Sequence, residues 1–164
     1  MFPGKMVKTI LFLLTVSLLL AGWSGGAQAS ESNQQLHTAA GNFSQEDIDL
    51  FARLVHSEAA GEPYTGQVAV AASVLNRLES PRYPNTLRGV ILQVVNGHYQ
   101  YSPVLDGRIN LPANQTAYNA VYDALQGWDP SGGALGFYNP YKTNNQWVRQ
   151  QPVTTAIGNH VFFR

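Results

Sequence analysis

The N-terminal segment limits what the rest of this chain can fold into. Lys5 and Lys8 are followed by an almost unbroken apolar stretch, Thr9 to Ala21, and small residues continue to Ala27-Gln28-Ala29. A basic region, an apolar run shorter than the roughly 20 residues of a membrane span, and an A-x-A site are typical of a cleaved export signal. We therefore expect residues 1–29 to be a signal peptide that directs export across the cytoplasmic membrane. A retained membrane anchor is the alternative.

Cleavage after Ala29 would leave 135 residues, which suffice for one domain with one core. Residues 30–43 are polar and predict a short linker, so the predicted domain covers residues 44–164. Without Lys5 and Lys8, eight basic residues face ten acidic ones, and the net charge is near −2. That balance argues against a nucleic acid partner, which needs clustered Lys and Arg. Cysteine is absent, which excludes thiol catalysis, disulfides and Cys-ligated metals.

Helical patterns dominate the first two thirds of the predicted domain. Ser44 and Asp47 have the spacing of a helix N-cap, and the helix that they begin should stop near Gly61-Glu62-Pro63. Three further helices are predicted over about 65–78, from the cap Thr86 through Val94 to Asn96-Gly97, and from the cap Asn114 to about Gln126. Residues 98–112 have the composition of a loop.

The C-terminal third changes character after Trp128, which is expected in the core. Turn residues occupy positions 129–133, and three short aromatic or β-branched runs follow at 134–138, 146–148 and 160–163. Such runs predict strands of a small antiparallel sheet. The fold class is therefore α+β, as a single compact domain with a helical N-terminal part.

One carboxyl group stands out on the first predicted helix. Ile48, Phe51, Val55 and Glu58 are spaced three, four and three residues apart, which puts them on one helical face. A carboxyl group at the end of an apolar stripe is costly to ionise, so its pKa rises. An acid that stays protonated near neutral pH can protonate a glycosidic oxygen. Alternatively, Glu58 is solvated past the helix end or pairs with an arginine.

A partner for Glu58 is hard to find in the sequence. Glycosidases with two carboxylates place them about 5 to 10 Å apart. The candidates are Glu62, Asp106, Asp123 and Asp129. Asp106 and Asp129 precede glycine and proline as turn residues do, Asp123 is expected in solvent, and the direction of Glu62 stays open. A lytic transglycosylase needs one acid/base only, because the 6-hydroxyl of the sugar replaces water.

Two other chemistries have weaker support. His56 and Ser57 are neighbours of Glu58, but adjacent helical side chains do not face each other, so a Ser–His hydrolase is disfavoured. His56, His98 and His160 with an acid are the candidates for a zinc site of the amidase type, although their spacings match no short metal motif.

Several long segments match one family in the right order. They are residues 56–72, Leu75-Asn76-Arg77, Gln100-Tyr101-Ser102-Pro103, Asn114-Gln115-Thr116-Ala117, residues 127–134, Tyr138-Asn139-Pro140, and residues 157–162. Together they closely resemble the spore cortex-lytic cell wall hydrolases over about residues 44–164.

This resemblance implies a compact fold distantly similar to lysozymes and lytic transglycosylases. It implies cleavage of spore cortex peptidoglycan during germination, with the catalytic glutamate of the family at Glu58. It also implies a lytic transglycosylase reaction on strands that contain muramic δ-lactam, with 1,6-anhydromuramic ends as product and without a metal or organic cofactor. Ser102, Tyr138 and Asn139 are the candidate substrate contacts.

The exported members of this family carry a peptidoglycan-binding module before the catalytic domain, and residues 30–43 are too short to form one. We therefore expect a monomer that acts on glycan strands in the cortex or cell wall, with an accessory wall-docking protein as a further partner. Two other functions stay open: a non-catalytic wall-binding or spore-coat protein on the same scaffold, and an N-acetylmuramoyl-L-alanine amidase.

Overall fold

The computed structural model of the protein describes residues 43–164, so the predicted signal peptide lies outside the described residues. The elements in chain order are α1 (Gln45–Ala59), α2 (Tyr64–Glu79), α3 (Leu87–Ile91), β1 (Val94–Val95), β2 (His98–Tyr99), α4 (Ser102–Asp106), a 3-10 helix (Arg108–Asn110), α5 (Gln115–Leu125), β3 (Gly136–Tyr138), α6 (Gln146–Arg149), β4 (Val153–Ile157) and β5 (His160–Phe163). Within this range no helix has the length and hydropathy required to cross a bilayer.

Helix α1 begins and ends where the sequence predicts. The Ser44 hydroxyl oxygen accepts a hydrogen bond from the backbone N–H of Asp47 at 3.1 Å, and the Asp47 carboxylate accepts one from the Ser44 backbone N–H at 3.3 Å. This reciprocal pair satisfies N–H groups that the first turn leaves free. The predicted apolar stripe is confirmed, since Phe51 and Val55 are fully buried. Because Glu58 follows Val55 by three residues, this buried stripe also sets the side of α1 on which the Glu58 side chain lies.

The core lies between α1, α2 and α5. Helix α2 buries small side chains such as Ala69 and Ala71, and α5 buries Ala117 and Ala120. Helices that meet through alanine approach closely, and the surrounding valine and leucine side chains fill the remaining space. This packing holds α1, and therefore Glu58, in a fixed position against the rest of the domain.

The segment after α3 differs from the prediction. Helix α3 ends at Ile91 instead of continuing through Val94, and β1 and β2 form a hairpin with Val94 opposite Tyr99. Asn96 and Gly97 both have positive φ, at 51° and 79°. A two-residue hairpin turn needs this conformation because its twist matches that of the strands, so Asn-Gly is a hairpin turn here and not a helix end.

The predicted loop at 98–112 is also wrong in part, because it contains β2, α4 and the 3-10 helix. Pro103 lies in the first turn of α4, where its missing N–H costs nothing. Gly107, with φ of 84°, ends α4 in the left-handed conformation and directs the chain into the 3-10 helix. These short helices form one wall of the cavity described below.

The C-terminal sheet has the order β3-β5-β4 and is antiparallel throughout. The strands predicted within 134–138 and at 160–163 are confirmed. The strand predicted at 146–148 is wrong: Asn145 caps the short helix α6 by accepting a hydrogen bond from the Trp147 backbone N–H at 2.9 Å. The third strand is β4, an edge strand with two exposed and three half-buried residues, which the sequence analysis did not predict.

Trp128 is another correction. It was expected in the core, but 44% of its surface is exposed, and its ring lies against Tyr64 with centroids 6.1 Å apart. The reason is that Gly127, with φ of 96°, turns the chain outward at the end of α5.

Candidate active site

The last turn of α1 opens onto a cavity of about 390 Å³. Its residues come from α1, α2, the segment before α4, α4, the 3-10 helix, β3, the segment after β3, α6 and β5. The lining consists of Ser57, Glu58, Arg77, Gln100, Tyr101, Ser102, Arg108, Phe137, Tyr138, Asn139, Lys142, Thr143, Val148 and His160. The cavity therefore combines one acid with three cations, two amide side chains and several aromatic rings, groups that can hydrogen-bond to a sugar chain and cover its apolar faces.

Glu58 lies in this cavity mostly removed from solvent. Burial raises its pKa to about 7, since a desolvated carboxylate is disfavoured relative to the neutral acid. The positive charge of Arg108 opposes this rise, the negative charge of Asp106 adds to it, and Lys142 opposes it. At neutral pH a large fraction of Glu58 therefore carries a proton that it can donate.

The structure brings the three predicted substrate contacts to the same cavity as Glu58. Ser102 accepts a hydrogen bond from Arg108 Nη2 at 3.3 Å, and the Asn139 side chain accepts one from the backbone N–H of Tyr141 at 2.8 Å. The Tyr138 ring packs against Phe163 in a tilted arrangement, with centroids 6.1 Å apart and 48° between the ring planes. Each side chain is thus held by a neighbour, and all three line the cavity.

Sequence reasoning missed other lining residues. Tyr101 is buried and lies 5.0 Å from the Arg77 guanidinium, while its hydroxyl has no hydrogen-bond partner within residues 43–164. His160 is buried against Phe137, and burial lowers its pKa, so it is neutral at pH 7. Tyr101 and His160 belong to segments that carry the family resemblance. Arg108 pairs locally with Asp106, but the contacts that bring it to the cavity are with Ser57, 51 positions earlier, so the sequence gives no local signal for its place in the site.

None of the four candidate second carboxylates shares the cavity. Glu62 accepts hydrogen bonds from the Asn159 backbone N–H at 2.7 Å and from its side-chain amide at 3.2 Å, and so fixes the β4–β5 turn. Asp123 accepts from the Tyr64 hydroxyl at 2.6 Å. The turn roles expected for Asp106 and Asp129 are confirmed. Among the residues that the structure describes, Glu58 is the only carboxyl group that lines the cavity.

Glu62→Gln is expected to lower the free energy of unfolding by about 1 kcal/mol and to leave the glycan cleavage that the family resemblance implies within about twofold of wild type. Gln retains one acceptor for Asn159 but loses the charge-assisted bond. Denaturant unfolding and fragment release measure the two effects. A loss of cleavage much larger than the loss of stability would instead make Glu62 the second carboxylate.

The described residues form neither the zinc site nor the Ser–His pair that the sequence left as alternatives. Within residues 43–164 no group of three His, Cys, Asp or Glu side chains is placed to bind one metal ion, so His56, His98 and His160 do not form a site together. The Ser57 hydroxyl donates to the backbone carbonyl of Arg108 at 3.1 Å, so it is not paired with a histidine base.

The raised pKa of Glu58 predicts a pH-dependent stability. Because the folded state favours the protonated form, its stabilising effect is complete below the ordinary pKa of 4.5 and is lost as pH rises to about 7. Glu58→Gln removes this penalty, so at pH 8 the variant is expected to be more stable than wild type by about 2 to 3 kcal/mol. At pH 4 the two should be nearly equal. Urea unfolding at both pH values checks this; equal stability at pH 8 would contradict it.

Comparison with known proteins places this cavity in context. A sequence profile of the Cell Wall Hydrolase family matches residues 61–163. The Spore cortex-lytic enzyme of Bacillus cereus is 46% identical over 143 residues, which cover 86% of this chain and 54% of that protein. The Spore cortex-lytic enzyme of Bacillus subtilis is 43% identical over 136 residues, which cover 83% of this chain and 43% of that protein. The chain thus spans about half the length of the curated relatives it matches.

Solved structures show the same fold. The catalytic domain of the germination-specific lytic transglycosylase SleB from Bacillus anthracis superposes with a TM-score of 0.69 at 45% identity, covering 75% of this chain and 98% of that one. The catalytic domain of the Bacillus cereus SleB protein gives a TM-score of 0.67 at 44% identity, covering 75% and 93%. The predicted α+β class and its likeness to a lytic transglycosylase domain are confirmed.

Proposed function

The chain belongs to the cell wall hydrolase family, and from this premise we propose that it cleaves spore cortex glycan strands as a lytic transglycosylase during germination. The observation that carries the proposal is a lone, mostly buried carboxyl group with a pKa of about 7 in a cavity lined by polar and aromatic side chains. A single acid/base is sufficient for transglycosylation, whereas two-carboxylate hydrolysis needs a second one nearby.

In the first step, the Glu58 carboxylic acid donates its proton to the oxygen that links muramic acid to the next N-acetylglucosamine. The bond from the muramic anomeric carbon to this oxygen breaks, and N-acetylglucosamine leaves with a free 4-hydroxyl. An oxocarbenium-like centre remains on the muramic ring. Glu58 is now an anion, which the positive charges of Arg108 and Lys142 favour.

In the second step, the Glu58 carboxylate removes the proton from the 6-hydroxyl of the same muramic residue. The 6-oxygen then bonds to the anomeric carbon, which closes the 1,6-anhydro ring and returns Glu58 to its acid form. No water is consumed. Water that reached the oxocarbenium centre before the 6-hydroxyl would give hydrolysis instead.

The glycan is expected to contact Ser102, Tyr138 and Asn139, which lie on the walls of the Glu58 cavity. Their hydroxyl and amide groups match sugar hydroxyls and acetamido groups. Tyr141 and Trp147 lie between β3 and β4, each next in sequence to a lining residue, Lys142 or Val148, and 86% and 63% of their surfaces are exposed. Exposed rings of this kind cover the apolar face of a sugar ring.

Mass spectrometry of fragments released from decoated spores or purified cortex tests the proposal. Muropeptides lighter by one water than the hydrolysed form support a lytic transglycosylase. Reducing-end fragments would indicate a hydrolase, and free peptides or new amino groups an amidase. Binding to sacculi without any released fragment would identify a wall-binding or coat protein.

Location and partners belong to the same proposal. We propose that the protein is exported, acts in the spore cortex as a monomer, and is brought to the wall by an accessory docking protein. A pull-down from spore extracts with the exported domain, compared with Glu58→Gln, tests the partner. The relatives named as cortex-lytic enzymes support the location.

A further inference from the structure

Arg108 makes an unusual number of contacts at the mouth of the Glu58 cavity. Its Nε lies 3.1 Å and 2.9 Å from the two carboxylate oxygens of Asp106, and its Nη2 lies 2.8 Å from Asp106 Oδ2. The Arg108 backbone N–H also donates to Asp106 at 3.1 Å. The guanidinium fork is therefore fixed by one carboxylate, which is the geometry in which an arginine pair is strongest.

The same guanidinium reaches the helix turn that carries Glu58. Arg108 Nη1 donates to the backbone carbonyl of Ser57 at 2.8 Å, and the Ser57 hydroxyl donates back to the carbonyl of Arg108 at 3.1 Å. Nη2 also donates to Ser102 at 3.3 Å. Carbonyls near the C-terminal end of a helix have no partner further along it, so a cation there both satisfies them and favours the helix dipole.

Several other groups face Glu58 from the surrounding elements. They are Arg77 from α2, Tyr101 before α4, Tyr138 from β3, Lys142 after β3 and His160 from β5. Burial raises the pKa of Tyr101 to about 12, and His160 is neutral, so neither carries charge at pH 7. Among the residues that the structure describes, Asp106 is the one carboxylate whose charge raises the pKa of Glu58, and Arg108 is the cation that lowers it most.

We propose that Asp106 and Arg108 form a positioning pair for Glu58, an inference that rests on the proposed function. Arg108 fixes the last turn of α1 through the Ser57 carbonyl, and Asp106 offsets the field of the guanidinium at the Glu58 carboxyl group. The acid thereby stays in place and protonated before the reaction. Once its proton has been transferred, the part of the Arg108 charge that Asp106 does not offset favours the Glu58 carboxylate, because Arg108 acts on Glu58 more strongly than Asp106 does.

The two members of the pair should act on Glu58 in opposite directions. Arg108→Gln removes the cation that favours the carboxylate, so the pKa of Glu58 rises by about 0.5 to 1 unit. Asp106→Asn leaves the cation uncompensated, so that pKa falls by about the same amount. The double variant Asp106→Asn/Arg108→Gln should return close to wild type. Carbon-13 NMR titration of the Glu58 carboxyl group measures these shifts without requiring activity.

The pH profile of fragment release gives the matching kinetic result. Cleavage needs protonated Glu58, so the cleavage rate falls at alkaline pH as Glu58 loses its proton. This fall should move to higher pH in Arg108→Gln and to lower pH in Asp106→Asn. The maximal rate falls by about tenfold or more in Arg108→Gln, because the helix turn is no longer fixed. Arg108→Lys keeps the positive charge but lacks the two-pronged guanidinium group. The alkaline limb of its pH–rate profile should therefore match wild type, while its maximal rate should fall.

Arg53→Gln is the matched control, since it breaks the ion pair between Arg53 and Asp49, 3.0 Å apart on the same helix. It should change neither the alkaline limb of the pH–rate profile nor the maximal rate of cleavage. If Arg108→Gln and Asp106→Asn shifted the pKa of Glu58 in the same direction, or did not shift it, the proposed positioning pair would be wrong. If Arg108→Gln does not fold, the Asp106→Asn titration decides alone: a fall supports the pair and a constant pKa refutes it. If the wild-type protein released no fragments, the proposed function would be wrong. The NMR titration would still test the positioning pair, because it does not require activity.

Discussion

Glu58→Gln is expected to reduce the release of glycan fragments by about 1000-fold or more. Gln has the size and shape of Glu, so it fits the cavity, but it has no proton to donate and no carboxylate to recover one. Both steps of the proposed reaction use this group, and the cavity holds no other carboxyl group that could replace it among the described residues. Initial rates on purified cortex strands, followed by mass spectrometry, measure the effect.

Glu46→Gln is the control for that variant. Glu46 is exposed in the first turn of α1, at the opposite end of the helix from Glu58, so the same chemical change should leave cleavage unaltered. Thermal unfolding verifies that both variants fold. If Glu58→Gln retained even a tenth of the wild-type rate, Glu58 would not be the acid, and another proton donor in the cavity would have to be sought.

Asp129→Ala is expected to lower the free energy of unfolding by about 3 to 4 kcal/mol. The Asp129 carboxylate accepts hydrogen bonds from the Asn76 side chain at 3.0 Å, from the Ser131 backbone N–H at 2.8 Å and from the Gly133 backbone N–H at 2.9 Å. Alanine leaves the Ser131 and Gly133 backbone N–H groups without this acceptor in a half-buried turn, while the Asn76 amide keeps only its hydrogen bonds to Ala134 and Ser131. Because that turn connects α5 to the sheet, its loss affects the packing of both parts.

Asp123→Ala is the matched control for the stability effect. Asp123 accepts a single described side-chain hydrogen bond, from exposed Tyr64, so its removal should cost less than about 1 kcal/mol. Urea unfolding at pH 7 compares the two variants with wild type. Equal losses in Asp123→Ala and Asp129→Ala would show that the network around Asp129 adds no stability.

The contribution of Asp129 also depends on pH. Burial alone would raise its pKa, but hydrogen bonds from Ser131, Asn76 and Gly133 outweigh burial and hold the pKa below the usual value. A carboxylate with a lowered folded-state pKa stabilises above its unfolded pKa, and this effect is lost as pH falls through the folded value. The difference between wild type and Asp129→Ala should therefore shrink in acid.

The sequence by itself determined the features that depend on neighbours within one turn of chain. The cap at Ser44, the apolar stripe that ends at Glu58 and the left-handed Gly127 follow from local spacing and local φ preferences. Local rules failed where two structures compete for the same short segment. Asn96-Gly97 can end a helix or form a hairpin turn, and the structure has the hairpin, whose four strand residues are exposed.

Only the tertiary structure decided what surrounds Glu58 and which carboxylates serve the fold. Ser57 and Arg108 are 51 positions apart, and Glu62 and Asn159 are 97 apart, yet both pairs are hydrogen-bonded. Helical periodicity carries no information about such partners, since it extends only along one element. Burial, and the charges that shift the pKa of Glu58, are sums over all elements that meet at the cavity, so they exist only once the chain has folded.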